Sequence, residues 1–442
     1  MEEINALIKT HAVLFFISEF LHDHPEAELY LVGGSVRDLL LKRRGLNTDF
    51  DFVIRKLQRE KLESWFSKQG SIDLVGRVFG VYKFLPRGFD STHTTQIDIA
   101  LPRTEFARAG SHGGYKEFDV QSDAELSIEK DLSRRDFTIN AMAINIRTGE
   151  LVDLYGGTVD LEKKLVRAVG NPTERFQEDF SRMLRAIRFA CELHFDIEPE
   201  TRRALQEQIP HIQDRCTINE KEEFVVPRET IGSELAKAFA RNPEGAKEWL
   251  KKTNAFNILF NVPLSEIGIK HLAPGNPTIP VALLLHELTP QKAVEQLHLT
   301  GLDTLPHQSP LRIDPQLVSW LIIRLQQPWE EKVIRELRAS LFEKTFLAGQ
   351  RSEFLLSALR ALGKTTILVA VQKRTNEILE RWKTELNEPI PPLLSGDDLL
   401  HAGIPAGPRI RSLLEELRDE QLDGRILTRE TAKKWLKEKK PI

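Results

Sequence analysis

Asp49 and Asp51 stand two residues apart among Phe50, Phe52, Val53 and Ile54, a run that reads as a strand. Side chains alternate across a strand, so the two carboxylates share a face and can hold one divalent ion such as Mg²⁺. Just upstream, Leu31 and Val32 end an apolar run and Gly33-Gly34 allow a tight turn. Ser35 is the expected cap of the helix that follows, which carries Val36, Leu39 and Leu40. A glycine turn at a helix N-terminus is a phosphate cradle. Phosphate, a hard cation and paired acids together suggest nucleotide chemistry; the plain alternative is a surface hairpin with two solvated acids.

Three stretches further on carry compatible chemistry. In the alternating run 95–101, Gln96, Asp98 and Ala100 face one way, so Asp98 is a candidate third carboxylate. In 129–142, Arg134 and Arg135 are suited to bidentate contacts with phosphate oxygens. Asp136 and Asn140, four apart on an expected helix face, are suited to a ribose hydroxyl. In 178–189, Asp179, Arg182, Arg185 and Arg188 wind over one side of an expected helix, opposite Phe180, Met183, Leu184, Ile187 and Cys191. A row of arginines is costly unless anions neutralise it, as a triphosphate does; a solvated face with one ion pair is the alternative. A carboxylate accepts from the exocyclic amino group that cytosine and adenine carry and that guanine and uracil lack at that edge. With an adjacent arginine donating to the ring, Asp179 and Arg182 form a pair able to accept C or A without a template.

The elements that must position these residues follow from hydrophobic period. At 442 residues the chain needs two to four domains. Its 41% hydrophobic and 29% charged content are those of an ordinary globular protein, and a net charge of -3 requires any nucleic-acid surface to be locally basic. Two cysteines, Cys191 and Cys216, make neither a disulfide framework nor a zinc spacing. No apolar run is long enough to span a membrane and no basic leader precedes the first one, so a cytoplasmic location is expected. Residues 1–25 read as an amphipathic helix, and 75–85 and 95–101 as strands. Residues 103–123 read as a mobile loop. Beyond 125 helices dominate, at about 128–143, 175–193, 200–208, 228–241, 244–258, 279–287, 315–326, 331–347, 352–361, 365–386, 396–401, 408–421 and 429–438, with Pro-rich breaks at 274–280, 306–310 and 389–392.

Five segments occur in an order that resembles the class II tRNA nucleotidyltransferases (CCA-adding enzymes) and the related bacterial poly(A) polymerases. They are Gly33-Gly-Ser-Val-Arg-Asp38, Asp49-Phe-Asp51, Arg134-Arg-Asp-Phe-Thr-Ile-Asn-Ala141, Val152-Asp-Leu-Tyr-Gly-Gly157 and Glu178-Asp-x-x-Arg182. Arg228-Glu-x-x-x-x-Glu-Leu-x-Lys237 is similar to a fifth family motif that braces neck helices, and 395–408 resembles the RNA-binding end. The resemblance implies an α+β chain: a polymerase-beta-like nucleotidyltransferase-fold α/β head (1–147), a helical neck with the nucleotide-selecting helix (148–240), a helical body (241–390) and a tRNA-binding tail (391–442). It implies addition of CMP and AMP from CTP and ATP to the acceptor end of tRNA, with release of pyrophosphate. Asp49 and Asp51 would bind Mg²⁺; Gly33, Gly34 and Arg37 would meet the triphosphate; Arg135, Asp136 and Asn140 would meet the phosphate and ribose. Asp179 and Arg182 would read the base with Arg185 and Arg188 nearby, and Asp98 would support the attacking hydroxyl.

Two departures keep alternatives open. Some longer members carry a metal-dependent HD phosphohydrolase site; here 283–288 has Glu287 where that pattern needs Asp, and His271, His286 and His298 lack ligand spacing, so none is expected. The 103–123 segment differs from the loop of enzymes that complete CCA. That leaves an enzyme adding only CC or only A, a poly(A) polymerase, or a non-catalytic RNA-binding relative. In the tail, Gly407-Pro408 opens a helix with Arg409 and Arg411 in its first turn, and Lys433, Lys434, Lys437, Lys439 and Lys440 follow, suiting tRNA contact. Oligomeric state is not legible.

Overall fold

The computed structural model describes residues 7–8, 10–43, 50–75, 80–90, 97–107, 118–218, 221–262, 269, 272, 274–306, 308–347, 349–386 and 392–439. Asp49, Gln96, His271 and Lys440 lie outside them. The chain forms two compact units, Met1–Leu264 with Leu299–Pro306, and Ser265–His298 with His307–Ile442.

The first unit is built on a seven-stranded mixed sheet. Its strands are β1 (Glu28–Val32), β2 (Asp51–Arg55), β3 (Gly70–Val75), β4 (Val81–Pro86), β5 (Ile97–Ala100), β8 (Ala143–Asn145) and β9 (Leu151–Val152), in the order β3-β4-β5-β2-β1-β8-β9. A separate ribbon pairs β6 (Arg103–Ala107) with β7 (Phe118–Ser122). β2 and β5 run parallel; the other neighbours in the large sheet run antiparallel. Helices α1 (Phe16–Asp23) and α3 (Arg59–Gln69) bring Phe16, Phe20 and Phe66 onto one face, where Phe16 and Phe66 lie 5.3 and 4.8 Å from Phe84. The other face packs Tyr30, Val32 and Val53 against Ile128 and Leu132 of α4 (Ile128–Ser133). The alternation that buries Phe52 and Ile54 on the first face turns Asp51 and Val53 to the second. Between β1 and β2 lies α2 (Gly34–Leu40).

The same unit continues through α5 (Gly157–Lys163), α6 (Pro172–Glu178), α7 (Ser181–Leu193), α8 (Pro199–Gln208) and α9 (Arg228–Arg241), with two small two-stranded sheets between them. The segment Leu299–Pro306 returns to this unit at α9. Gly301 has φ +70°, and a Cβ there would stand 2.0 Å from the Arg228 carbonyl oxygen; one on Gly232 would stand 1.9 Å from the Gly301 carbonyl oxygen. Only two glycines allow that approach.

The second unit is helical. Its last part encloses its own apolar core of Leu394, Leu399, Ile404, Leu413, Leu417, Ile426, Ala432 and Leu436. Capping boxes at Ser395/Asp398 and Thr428/Thr431 start Gly396–His401 and Arg429–Glu438. Between them lies Pro408–Leu422, where Arg411 bonds Glu415 and Arg409 bonds the Lys439 carbonyl. His286 hydrogen-bonds the Leu283 carbonyl just past Thr278–Leu284.

Several sequence expectations need correction. Within 75–85, Val75 ends β3 and 81–85 belong to β4, which pairs antiparallel with β3, so the range is not one strand. The described ends of 103–123 pair antiparallel as β6 and β7, with Thr104 opposite Gln121 and Phe106 opposite Asp119 in the backbone register. Residues 128–143 are not one helix: α4 stops at Ser133, a 3-10 turn covers Thr138–Asn140, and β8 begins at Ala143. Residues 175–193 break at Asp179, whose backbone is extended (φ -152°, ψ 103°). Residues 244–258 break at Asn254, which is left-handed, and 331–347 break at Leu337 and Arg338, whose ψ values of 139° and 143° are extended. Apolar period alone runs through such interruptions.

Candidate active site

The first unit holds a cleft of about 580 Å³ where the Gly33 turn, β2, β5, the 134–140 segment and α7 converge. Among the described residues, seven arginines and four aspartates line it, so it is suited to a polyanion.

Its floor is the sheet. Asp51 and Asp98 are direct partners on parallel neighbours β2 and β5, and both face the cleft. Lys83 on β4, also in register with Asp98, brings Nζ to 2.5 Å from Asp98 Oδ1. That contact is a charge pairing without hydrogen-bond direction, since the same oxygen is enclosed and accepts no aligned donor. Ser35 does not cap α2 as expected; its Oγ accepts from the Asp51 amide at 3.2 Å, tying the glycine turn to the acid strand. Gly33 has φ +68°, and a Cβ there would stand 2.8 Å from Arg135 Nη1 and 3.7 Å from Asp51 Oδ2. The absent side chain is therefore what admits Arg135 beside the acids.

One wall is the 131–140 segment. Arg134 and Arg135 both bond Asp131, which is wholly buried. Burial alone would raise the Asp131 carboxyl, but the two guanidinium groups outweigh it and hold it below the ordinary range. Arg135 Nη1 also reaches the Asn140 carbonyl at 3.4 Å, while its enclosed Nε has no hydrogen-bond partner. Asp136 and Asn140 do not share a helix face. They meet across a turn, where Asn140 Nδ2 donates to Asp136 Oδ1 at 3.3 Å and Asn140 Oδ1 accepts from Arg37 Nη1 at 2.9 Å. Arg37 is 4% exposed, and its remaining edge donates to Asp38.

The facing wall is α7. The Asp179 carboxylate accepts from the Ser181 amide at 2.9 Å and so closes the start of the helix. Burial raises its carboxyl, and Arg182 only partly offsets that. Arg182 is buried, donating to Glu178 and to the carbonyls of Arg175 and Arg134. Arg185 donates twice to Asp136 Oδ2, at 2.8 and 2.5 Å, and Arg188 bonds Glu234 of α9 and Glu192. Burial would raise Asp136, but the Arg185 charge and bonds, the Arg182 charge and the Phe137 amide bring it down to about 2. The arginine row is thus neutralised largely by the chain's own carboxylates, which the sequence reading assigned to a triphosphate. Cys191 lies on the buried face of α7, and burial pushes its thiol up to about 12.

The expected residues other than Asp49 therefore gather around one cleft. Residue spacing did not single out Asp131 or Phe189, whereas Glu234 is the second glutamate of the 228–237 motif. Phe189 lines the cleft directly after Arg188, and an aromatic within an arginine row was the available signal.

Residues 29–167 match the poly A polymerase head domain. The match gives these residues a nucleotidyltransferase-type head, a kind of domain that depends in general on divalent metal. The chain is 27% identical over 413 residues to the CCA-adding enzyme of Lactobacillus gasseri, covering 92% of each. It is 34% identical over 281 residues to the multifunctional CCA protein of Stenotrophomonas maltophilia, covering 59% of this chain and 64% of that one. In fold it resembles the Bacillus stearothermophilus CCA-adding enzyme solved with CTP, at TM-score 0.63 and 22% identity, covering 95% of this chain and 94% of that one. The Thermotoga maritima CCA-adding enzyme solved with tRNA gives TM-score 0.54 at 24% identity, covering 94% and 92%. Among the described residues no helix is long and apolar enough to cross a membrane.

Proposed function

We propose that the chain is a template-independent tRNA nucleotidyltransferase that builds or repairs the 3′-terminal CCA with CMP and AMP from CTP and ATP. The observation that carries this reading is one cleft in which paired carboxylates beside a glycine turn face an Asp–Arg pair, Asp179 and Arg182, suited to an amino-bearing base. The likeness to the Lactobacillus gasseri enzyme over 92% of both chains supports the same reaction.

The donor set fits Mg²⁺. Among the described residues no group of three His, Cys, Asp or Glu side chains is placed to hold a metal, but two in-register carboxylates are present. Mg²⁺ needs only one or two carboxylates, completing its shell with water and substrate phosphates. Asp51, with Asp49 beside it in sequence, would hold the ion. When bound, it supplies activation of the 3′-hydroxyl and charge relief for the departing pyrophosphate. The chain's own part is positioning. Gly33 and Gly34 admit the triphosphate, Arg135 beside Gly33 brings its positive charge to it, and Arg37 and Asn140 hold the turn against the ribose wall. Asp136, filled by Arg185 and Asn140, orients Arg185 toward the base side. Asp98 lies next to Asp51, where it supports the incoming hydroxyl. Residues 1–147 serve as the catalytic head, 148–240 as the selecting neck, 241–390 as the body and 391–442 as the tRNA-binding tail, in a protein that works in the cytoplasm.

The test is incubation with Mg²⁺ and three tRNAs ending before CCA, after the first C, or after CC, with labelled CTP and ATP supplied separately and together. Completion of CCA on all three is expected. Growth only to CC, or only from CC, identifies a partial enzyme, and long A tails on unrelated RNA overturn the tRNA reading.

A further inference from the structure

Phe189 is 6% exposed, lines the cleft and touches Phe137 edge-on at 5.8 Å between centroids. Three guanidinium carbons lie over its ring: Arg188 at 4.0 Å, Arg37 at 5.3 Å and Arg185 at 5.4 Å from the centroid. All are inside the range of a cation–π attraction, which strengthens as water is excluded. One ring therefore meets an arginine of α2, beside the glycine turn, and two of α7. The rims of these groups are bonded elsewhere: Arg37 to Asp38 and Asn140, Arg185 to Asp136, Arg188 to Glu192 and Glu234. Rim bonds fix a guanidinium within its own plane and leave it free to tilt about them. A negative ring face restrains the tilt. Three like charges converging on one ring also repel, and the ring quadrupole offsets part of that repulsion.

We propose that Phe189 is a positioning residue: its ring gathers Arg37, Arg185 and Arg188 so that the triphosphate end and the base end of the cleft are oriented together. This rests on the nucleotidyltransferase reading above. A packing role alone needs only the volume of the side chain, whereas the positioning role needs the electron density of the ring.

Site-specific replacement of Phe189 by 4-fluoro-, 3,5-difluoro- and 3,4,5-trifluorophenylalanine in the full-length protein separates the two. Fluorine drains the ring face with little change in volume. CTP affinity is measured by calorimetry and KM for CTP by incorporation into tRNA lacking CCA, with the thermal midpoint followed in parallel. The dissociation constant and KM are expected to rise together and stepwise, by roughly threefold to tenfold across the series, at a constant thermal midpoint. A flat series overturns the proposal, including the case in which Phe189→Leu alone weakens binding. If the wild-type protein binds CTP without incorporating it, the assigned reaction fails while the affinity series still decides the role of Phe189. Absence of CTP binding overturns both.

Discussion

Replacing Asp136 by asparagine removes the acceptor that Arg185 meets twice inside the fold. The carboxyl falls from 3.8 to about 2 on folding, so its ionised form stabilises the native state by about 2 kcal/mol at neutral pH. Because Asp136 is buried, solvent screening takes little from that figure. Stranding Arg185 without its partner brings the cost of Asp136→Asn to about 3 kcal/mol. The sign follows from the depressed value. The contribution is complete above the unfolded value of 3.8 and disappears as pH falls through the folded value of about 2. At pH 3 roughly half of the linkage contribution is gone, about 1 kcal/mol. Urea denaturation of both proteins at pH 7, 5, 4 and 3 reads this as a gap between wild type and variant that is constant down to about pH 5 and then narrows. A gap that stays constant down to pH 3, or one below about 1 kcal/mol at pH 7, would refute the claim that a charged Asp136 anchors Arg185.

Asp51→Asn is expected to lower nucleotide incorporation by about 10³-fold or more with the fold retained, and a near-normal rate would remove Asp51 from the metal assignment. Gly33→Ala forces a left-handed backbone and pushes on Arg135 Nη1, so CTP affinity should drop and stability should fall by about 1 kcal/mol; calorimetric titration with unchanged affinity would show that this approach of Arg135 is dispensable. Asp179→Asn should leave stability at pH 7 equal or higher, because burial raises that carboxyl and so penalises its ionised form in the fold. The same variant should relax discrimination of C and A from U and G by about tenfold in single-nucleotide incorporation, and intact discrimination would detach Asp179 from base reading.

Features set by local chemistry were legible in the sequence. The glycine turn between β1 and α2 and the shared face of Asp51 and Asp98 follow from backbone freedom and the two-residue period of strands. Features that depend on a distant partner were not. Asn140 ends a 3-10 turn just beyond Asp136 and is held there by Arg37, 103 residues earlier. The arginine row of α7 reads as a site awaiting anions until Asp136 and Glu234 are brought to it. Ser35 matches a capping residue by type, yet its oxygen serves the Asp51 amide instead.

The fit of Gly232 against Gly301 also constrains how this chain can be recombined with its relatives. A single junction between residues 232 and 301 imports a foreign partner for Gly232, and one after residue 306 separates Ser265–His298 from the rest of its own unit. A catalytic fragment ended at Leu264 would therefore leave α9 without Leu299–Pro306, the segment whose Gly301 meets Gly232 and Arg228.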